Sequence, residues 1–212
     1  KEAGIKHLTR EVILDIPMPE AIRKLVKVIM RDKVYVMKDE EVILADDPAK
    51  LQSKIHQICS GTVKTESGEY RVLDDFKVQY ILNNFWDRKI AIYYHYEQEG
   101  RLLKKAFENR WTDKDYEFNA SDNLTYICQL VAGREGVNLM TADCIVNFNI
   151  AFSATTYFQG KDRMVNYARD KEAVLYWLFS EGGIESKIYK AVAKKKNYTT
   201  KWFERDLIKL FA

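Results

Sequence analysis

Hydrophobic and polar positions change rhythm part of the way along this chain. Residues 11–16 interleave charged and apolar side chains and read as a short strand, which Pro17 and Pro19 stop. Beyond the prolines Ile22, Leu25, Val26 and Ile29 fall at i, i+3, i+4 and i+7, one apolar face of a helix. A second helix is bracketed in the sequence: Asp46 and Asp47 can cap it, Pro48 suits its first turn and Gly61 ends it. Its apolar face is Leu51, Ile55, Ile58 and Cys59. Residues 62–72 carry Glu66-Ser67-Gly68 between β-favouring residues, the pattern of a hairpin. Asp74 or Asp75 then caps a helix bearing Phe76, Tyr80, Ile81 and Phe85.

From residue 89 onwards continuous apolar runs replace the amphipathic ones. Residues 90–94 (Ile-Ala-Ile-Tyr-Tyr) have the character of a strand covered on both faces. Further runs lie at 124–131, 144–148 and 173–179, with helical stretches at 98–107, 153–167 and 183–194. Alternation of strand and helix predicts parallel strands joined by right-handed crossovers. The expected fold is α/β, a mostly parallel sheet with helices on both faces. Residues 1–72 are expected to form a helical and hairpin extension, and 73–212 the main domain. Ligands on such sheets bind beyond the carboxyl ends of the strands. Function is therefore expected in the loops after Tyr94, Leu130 and Phe148.

Composition narrows the classes. With 47% hydrophobic residues in 212 and no low-complexity stretch, the chain can bury a sizeable core. No window approaches the roughly 18–20 uncharged apolar residues of a membrane helix. A chain opening on Lys1, without initiator Met or signal-peptide apolar region, is expected to be part of a longer one. Cys59, Cys128 and Cys144 are scattered and odd in number, as are His7, His56 and His95, so a reducing cytoplasm and no metal site are expected. The formal charge of +3 is uneven: residues 161–212 hold twelve Lys/Arg against seven Asp/Glu, the remainder 22 against 24. A basic C-terminal third is compatible with nucleic acid, and equally with a solvated charged face. Lys194, Lys195 and Lys196 follow a helical stretch, where cations offset the helix dipole or contact phosphate.

Several kinds of chemistry are missing. No G-x-x-x-x-G-K-[ST] phosphate loop occurs, and Asp39-Glu40-Glu41 precedes its apolar run instead of following one. The chain cannot build a complete ATP site alone. No serine, cysteine or histidine is placed as an evident nucleophile–base pair.

Residues 132–139 (Ala-Gly-Arg-Glu-Gly-Val-Asn-Leu), followed by Thr141-Ala142-Asp143 and an apolar strand, place two glycines directly after a buried strand. Glycines there permit a tight turn or close backbone approach to a ligand. The whole run resembles motif V of Snf-type superfamily-two helicases, A-G-G-x-G-x-N-L then T-A-A-D. Residues 158–164 (Phe-Gln-Gly-Lys-Asp-Arg-Met) resemble motif VI, Q-x-x-D-R-x-x-R. Three further segments follow the family's order. Residues 89–97 resemble motif IV, with His95 at its polar tip. Gln57-Ile58-Cys59-Ser60-Gly61 resembles the R-Q-I-C-S-G segment of bacterial and phage members, and residues 13–17 resemble the strand-then-proline linker. The resemblance covers nearly the whole chain.

It implies the second RecA-like domain of a DNA translocase or helicase, working with an N-terminal RecA-like domain of the same protein. ATP with Mg2+ would be held mainly by that other domain. Arg163 would be the arginine that stabilises charge on the transferred phosphoryl group, as a planar, permanently charged guanidinium can. Gln159, Gly136, Asn138 and Asp162 would face the nucleotide. His95, Gly133, Arg134 and Lys161 would contact DNA, double-stranded in the translocases. The second motif VI arginine is replaced by Asn166, which leaves Arg163, Lys161 and Arg169 as alternatives for the finger. Residues 129–131 (Gln-Leu-Val) replace the family's phosphate-contacting hydroxyl residues, and 108–124 is shorter than usual. The resemblance implies a cytoplasmic protein of bacterial or phage origin. The alternative expectation is a nucleic-acid-binding or scaffold domain of the same fold that has lost hydrolysis, for which Asn166 speaks.

Overall fold

The long apolar runs pair in parallel, in an order different from their order along the chain. A computed structural model of the protein describes residues 9–130, 137–161 and 172–210. In chain order the elements are β1 (Thr9–Ile16), α1 (Glu20–Asp32), β2 (Val34–Val36), β3 (Val42–Leu44), α2 (Pro48–Cys59), β4 (Thr62–Lys64), β5 (Tyr70–Val72) and α3 (Phe76–Phe85). They continue with β6 (Ile90–Tyr94), α4 (Glu97–Phe107), β7 (Trp111–Thr112), α5 (Asp115–Ala120), β8 (Thr125–Gln129), β9 (Cys144–Asn147), α6 (Ala154–Lys161), β10 (Ala173–Ser180), α7 (Glu185–Val192) and α8 (Thr200–Leu210). Six strands form one sheet in the order β1-β10-β9-β6-β8-β7. Every neighbouring pair in it is parallel.

Continuous apolar runs are required because the sheet is covered on both faces. In β6, Ile90 and Ile92 pack with Val78, Ile81 and Phe85 of α3 and Leu103 and Phe107 of α4. Ala91 and Tyr93 point the other way, into a cluster with Phe118, Tyr126 and Leu130. A third cluster joins α1, α2, α7 and α8 to Trp177 and Phe179 of β10. Ile29, Ile55 and Ile188 within it are wholly buried. Each such side chain contributes about 1.5–3 kcal/mol by leaving water.

The N-terminal segment is bound into this sheet. β1 runs beside β10 in unbroken register from Thr9↔Ala173 to Ile16↔Ser180. The predicted hairpin is β4–β5, and the predicted helices at 22–29, 48–60 and 76–85 are α1, α2 and α3. Asp47 caps α2 as expected, its Oδ1 accepting from the Ala49 and Lys50 amides at 2.8 Å. Gly61 has φ +84, and a Cβ there would collide with the Asp74 carbonyl, so the turn after α2 requires glycine. Three features lie outside the sequence expectations: the β2–β3 hairpin, the β7–α5 unit within 108–124, and α8. The apolar runs of the first two are four residues or shorter, too short to assign by period, whereas α8 keeps Phe203, Leu207 and Leu210 at a helical spacing that the expectations did not include. No described helix is long and apolar enough to cross a membrane.

The topology locates the ligand side. From β6 the chain proceeds outward to β7 and β8 on one side, then returns to β9 and β10 on the other. The crevice beyond the carboxyl ends of β6 and β9 is thus a switch point, where open parallel sheets bind ligands.

Candidate functional site

Hydrogen bonds draw the three strand-end loops together. The Leu130 amide donates to the Tyr94 carbonyl and the Phe148 amide to the Tyr93 carbonyl, each at 2.8 Å. Gln129 Nε2 donates to the His95 carbonyl at 3.0 Å. At the centre is Glu99, wholly buried. Its Oε2 accepts the amides of His95 at 2.9 Å and Tyr96 at 3.0 Å. Its Oε1 accepts Asn149 Nδ2 at 2.7 Å, while Asn149 Oδ1 accepts the Ile150 amide at 2.8 Å. The third position of a helix suits this carboxylate, which reaches back to amides that have no helical partner. Helix α4 therefore begins on an acidic side chain that also holds the loop after β9.

Aromatic and imidazole rings fill the space behind the loops. His56 of α2 is wholly buried, with Nδ1 2.9 Å from the Tyr96 hydroxyl. Its ring lies 5.8 Å from that of His95 and 4.7 Å from that of Phe152, centroid to centroid. His56 Nε2 and His95 Nδ1 are buried with no hydrogen-bond partner among the described residues. Burial, with His95 and Lys77 nearby, pushes the His56 pKa well below the ordinary histidine value. Burial also lowers that of His95, against an opposing pull from Glu99. Both rings are neutral at neutral pH. Burial raises the Tyr96 hydroxyl and the Cys59 thiol, so neither ionises there.

Two carboxylates, one wholly buried and one half-buried, orient the helices around the crevice. Lys77 of α3 and Glu185 of α7 form an ion pair of 2.9 Å with no exposed side-chain surface. Lys77 Nζ also donates to the carbonyls of Leu178 at 3.1 Å and Phe148 at 3.4 Å. Glu11 Oε2 on β1 accepts Tyr157 Oη at 2.8 Å and Trp177 Nε1 at 3.0 Å, which ties α6 to the edge strand.

Of the residues expected to act, Gln159 is exposed on α6, and Lys161 ends that helix. Asn138 is exposed beside α5. Its amide donates to Asp115 Oδ2 at 3.0 Å, its carbonyl accepts Asn119 Nδ2 at 2.8 Å, and its own Oδ1 accepts the Met140 amide at 3.1 Å. His95 stands at the tip of β6, with Nδ1 turned inward. Gly133, Arg134, Gly136, Asp162 and Arg163 lie outside the described residues, as do Asn166 and Arg169. The fold thus brings His95 and α6 to one end of the sheet. Sequence patterning does not single out His56, Lys77, Glu99, Asn149 or Glu185. For Glu99 a signal exists, an acidic residue three positions after a strand tip at the start of a helical pattern. For the others none does, because their partners lie 40 or more residues away.

Among the described residues no group of three or more His, Cys, Asp or Glu is placed to hold a metal ion. The sequence carries no phosphate loop, so these residues by themselves do not make up a complete Mg2+-ATP site.

No protein-family profile matches the chain. It is 21% identical over 230 residues to an uncharacterized ATP-dependent helicase of Mycoplasma genitalium, covering 98% of this chain and 22% of that protein. Over 94 residues it is 30% identical to Protein CHROMATIN REMODELING 20 of Arabidopsis thaliana, 43% of this chain and 6% of that one. The chain therefore spans under a quarter of the length of these relatives. Among solved structures, the C-terminal part of the Fun30 ATPase domain superposes with a TM-score of 0.62 at 14% identity, over 97% of this chain and 98% of that one. The Sulfolobus solfataricus SWI2/SNF2 ATPase core in complex with dsDNA superposes with a TM-score of 0.55 at 17% identity, over 88% of this chain and 44% of the other. The chain has the fold of the C-terminal part of a Snf2-type ATPase domain, a mostly parallel six-stranded sheet flanked by helices.

Proposed function

We propose that this chain is the C-terminal half of an ATP-dependent DNA translocase or helicase motor. The observation that carries the reading is the coincidence of fold and motif order. Over nearly its whole length the chain shares the fold of the C-terminal part of the Fun30 ATPase domain, and its motif IV-like, V-like and VI-like segments follow one another along the chain in the family's order. ATP with Mg2+ would be held mainly by an N-terminal RecA-like domain of the same protein, since the phosphate loop is lacking here. Bound between the two domains, ATP would favour their closure, and its phosphoryl transfer to water would allow them to reopen. From this side Gln159, Gly136, Asn138 and Asp162 would line the cleft edge, and the Arg163 guanidinium would offset charge developing on the transferred group. His95, Gly133, Arg134 and Lys161 would grip the DNA backbone, with double-stranded DNA the substrate favoured by the Sulfolobus complex. Cycles of closing and opening would then move the pair along the duplex.

The test is DNA-stimulated ATPase activity, measured for residues 1–212 alone and for the full-length protein. Activity is expected only in the full-length form. Arg163→Ala there should lower turnover by roughly a thousandfold or more, the loss that accompanies removal of an arginine finger, with DNA affinity largely kept. Unchanged turnover in that variant would move the finger to Lys161 or Arg169. A full-length protein that binds DNA and never hydrolyses ATP would instead fit the scaffold reading, for which Asn166 in place of the second motif VI arginine speaks.

A further inference from the structure

The loops that the proposed motor would use for DNA and for nucleotide are bridged by one side chain. We propose that Glu99 is the positioning residue that makes the tip of β6 and the start of the β9–α6 segment move as one, so that DNA contact at the first is felt at the second. This inference rests on the motor reading for its functional meaning and on geometry for its mechanical one.

The geometry is specific. Glu99 is wholly buried and uses its two oxygens in opposite directions, Oε2 toward the amides of His95 and Tyr96, Oε1 toward Asn149. Residues 95 and 96 form the tip that would touch DNA. Asn149 opens the segment leading through Phe152 to α6, which carries Gln159. Capping α4 needs only the Oε2 half of this arrangement. The Oε1 half has no role in the helix and spans the switch point of the sheet.

Asn149 has one hydrogen-bonded orientation toward Glu99, with the buried His56 imidazole as its other polar neighbour. Its Oδ1 is held by the Ile150 amide, so Nδ2 must face Glu99. Flipping the amide would set Nδ2 against the Ile150 N–H, donor against donor. A glutamine at position 99 that still accepts the two backbone amides through its oxygen must turn its own NH2 toward Asn149 Nδ2. The bridge is then lost while the cap is kept. An aspartate at 149 would repair it, with one oxygen for Ile150 and the other accepting from the new glutamine NH2. Glu99→Gln breaks the bridge, Asn149→Asp replaces it with a carboxyl pair that must repel or share a proton, and together they rebuild it with the carboxylate on the other side.

The experiment follows in the full-length protein. For Glu99→Gln, Asn149→Asp and the double variant, the ratio of DNA-stimulated to unstimulated ATP turnover is measured, with KM for ATP and DNA affinity. Each single change should lower that ratio by about tenfold or more, the weight of a hydrogen bond to a charged group, chiefly through kcat with DNA bound. The double variant should recover most of it. Asn149→Ala, which severs the bridge and leaves the α4 cap intact, should repeat the loss if Glu99→Gln proves too unstable to assay. Unaltered stimulation in the singles, or a double variant no better than they are, overturns the proposal.

If the unaltered protein shows no DNA-stimulated turnover, the motor reading fails and the mechanical claim is decided by amide hydrogen exchange. In Glu99→Gln, exchange should then quicken at 94–96 and at 149–158 together and return in the double variant. Quickening at 94–96 alone overturns it.

Discussion

His56 and His95 are the residues through which pH should reach this fold. Both are held below the ordinary histidine pKa of 6.5, by burial first, His56 the more strongly. In the unfolded chain they take up protons as pH falls through about 6.5, while in the folded state they stay neutral. The unfolded state then binds more protons, so their contribution is fully present above about pH 6.5 and is lost progressively below it. The limiting slope is about 1.4 kcal/mol per pH unit for a group that stays neutral in the fold, which His56 approaches more closely than His95, whose shift Glu99 opposes. The melting temperature is expected to fall between about pH 7 and pH 5. His56→Gln, which can still meet the Tyr96 hydroxyl, should flatten the fall. An equally steep profile in that variant would show that the proton goes elsewhere. In sequence the histidines are scattered singly, and nothing marks them as neighbours. The motif resemblance placed His95 at a strand tip, where the structure has it, but could not show that its Nδ1 faces inward.

At the scale of elements, the amphipathic helices were legible because each meets one surface. α1 buries Ile22, Val26 and Ile29, three positions that a 3.6-residue period selects. α3 buries Val78, Ile81 and Phe85 and also Lys77, which no periodicity would place in a core. That lysine and Glu185 join the helix before β6 to the helix after β10. Removing one member leaves a buried charge without its partner, so Lys77→Met should cost about 3–5 kcal/mol in denaturant unfolding. Lys77→Met with Glu185→Leu should cost less than the single change, because the orphaned charge is gone as well. A loss below about 1 kcal/mol for Lys77→Met would mean that water reaches Glu185 and compensates for the missing ammonium.

Over the whole molecule, the edge strand decides what folds as a unit. β1 supplies eight residues of parallel register to β10, and α2 supplies Leu51, Ile55 and Ile58 to the core beneath α7 and α8. A fragment of residues 73–212 keeps the expected main domain in chain order but uncovers the β10 edge and that core. It is expected to lack a cooperative thermal transition that residues 1–212 show, as read by near-ultraviolet circular dichroism; a sharp transition in the fragment would contradict this. The sequence by itself determined the strands covered on both faces, the alternation that makes them parallel, and most of the caps and turns. These depend on near neighbours, and near neighbours are what a periodic pattern records. Only the tertiary structure decided that β1 joins the main sheet and that Lys77 meets Glu185 across 108 positions. It alone showed that Glu99, which holds the tip of β6, meets Asn149 across 50 positions. Buried polar side chains must find partners wherever the fold brings them, and that pairing is a property of three-dimensional packing which no local period encodes.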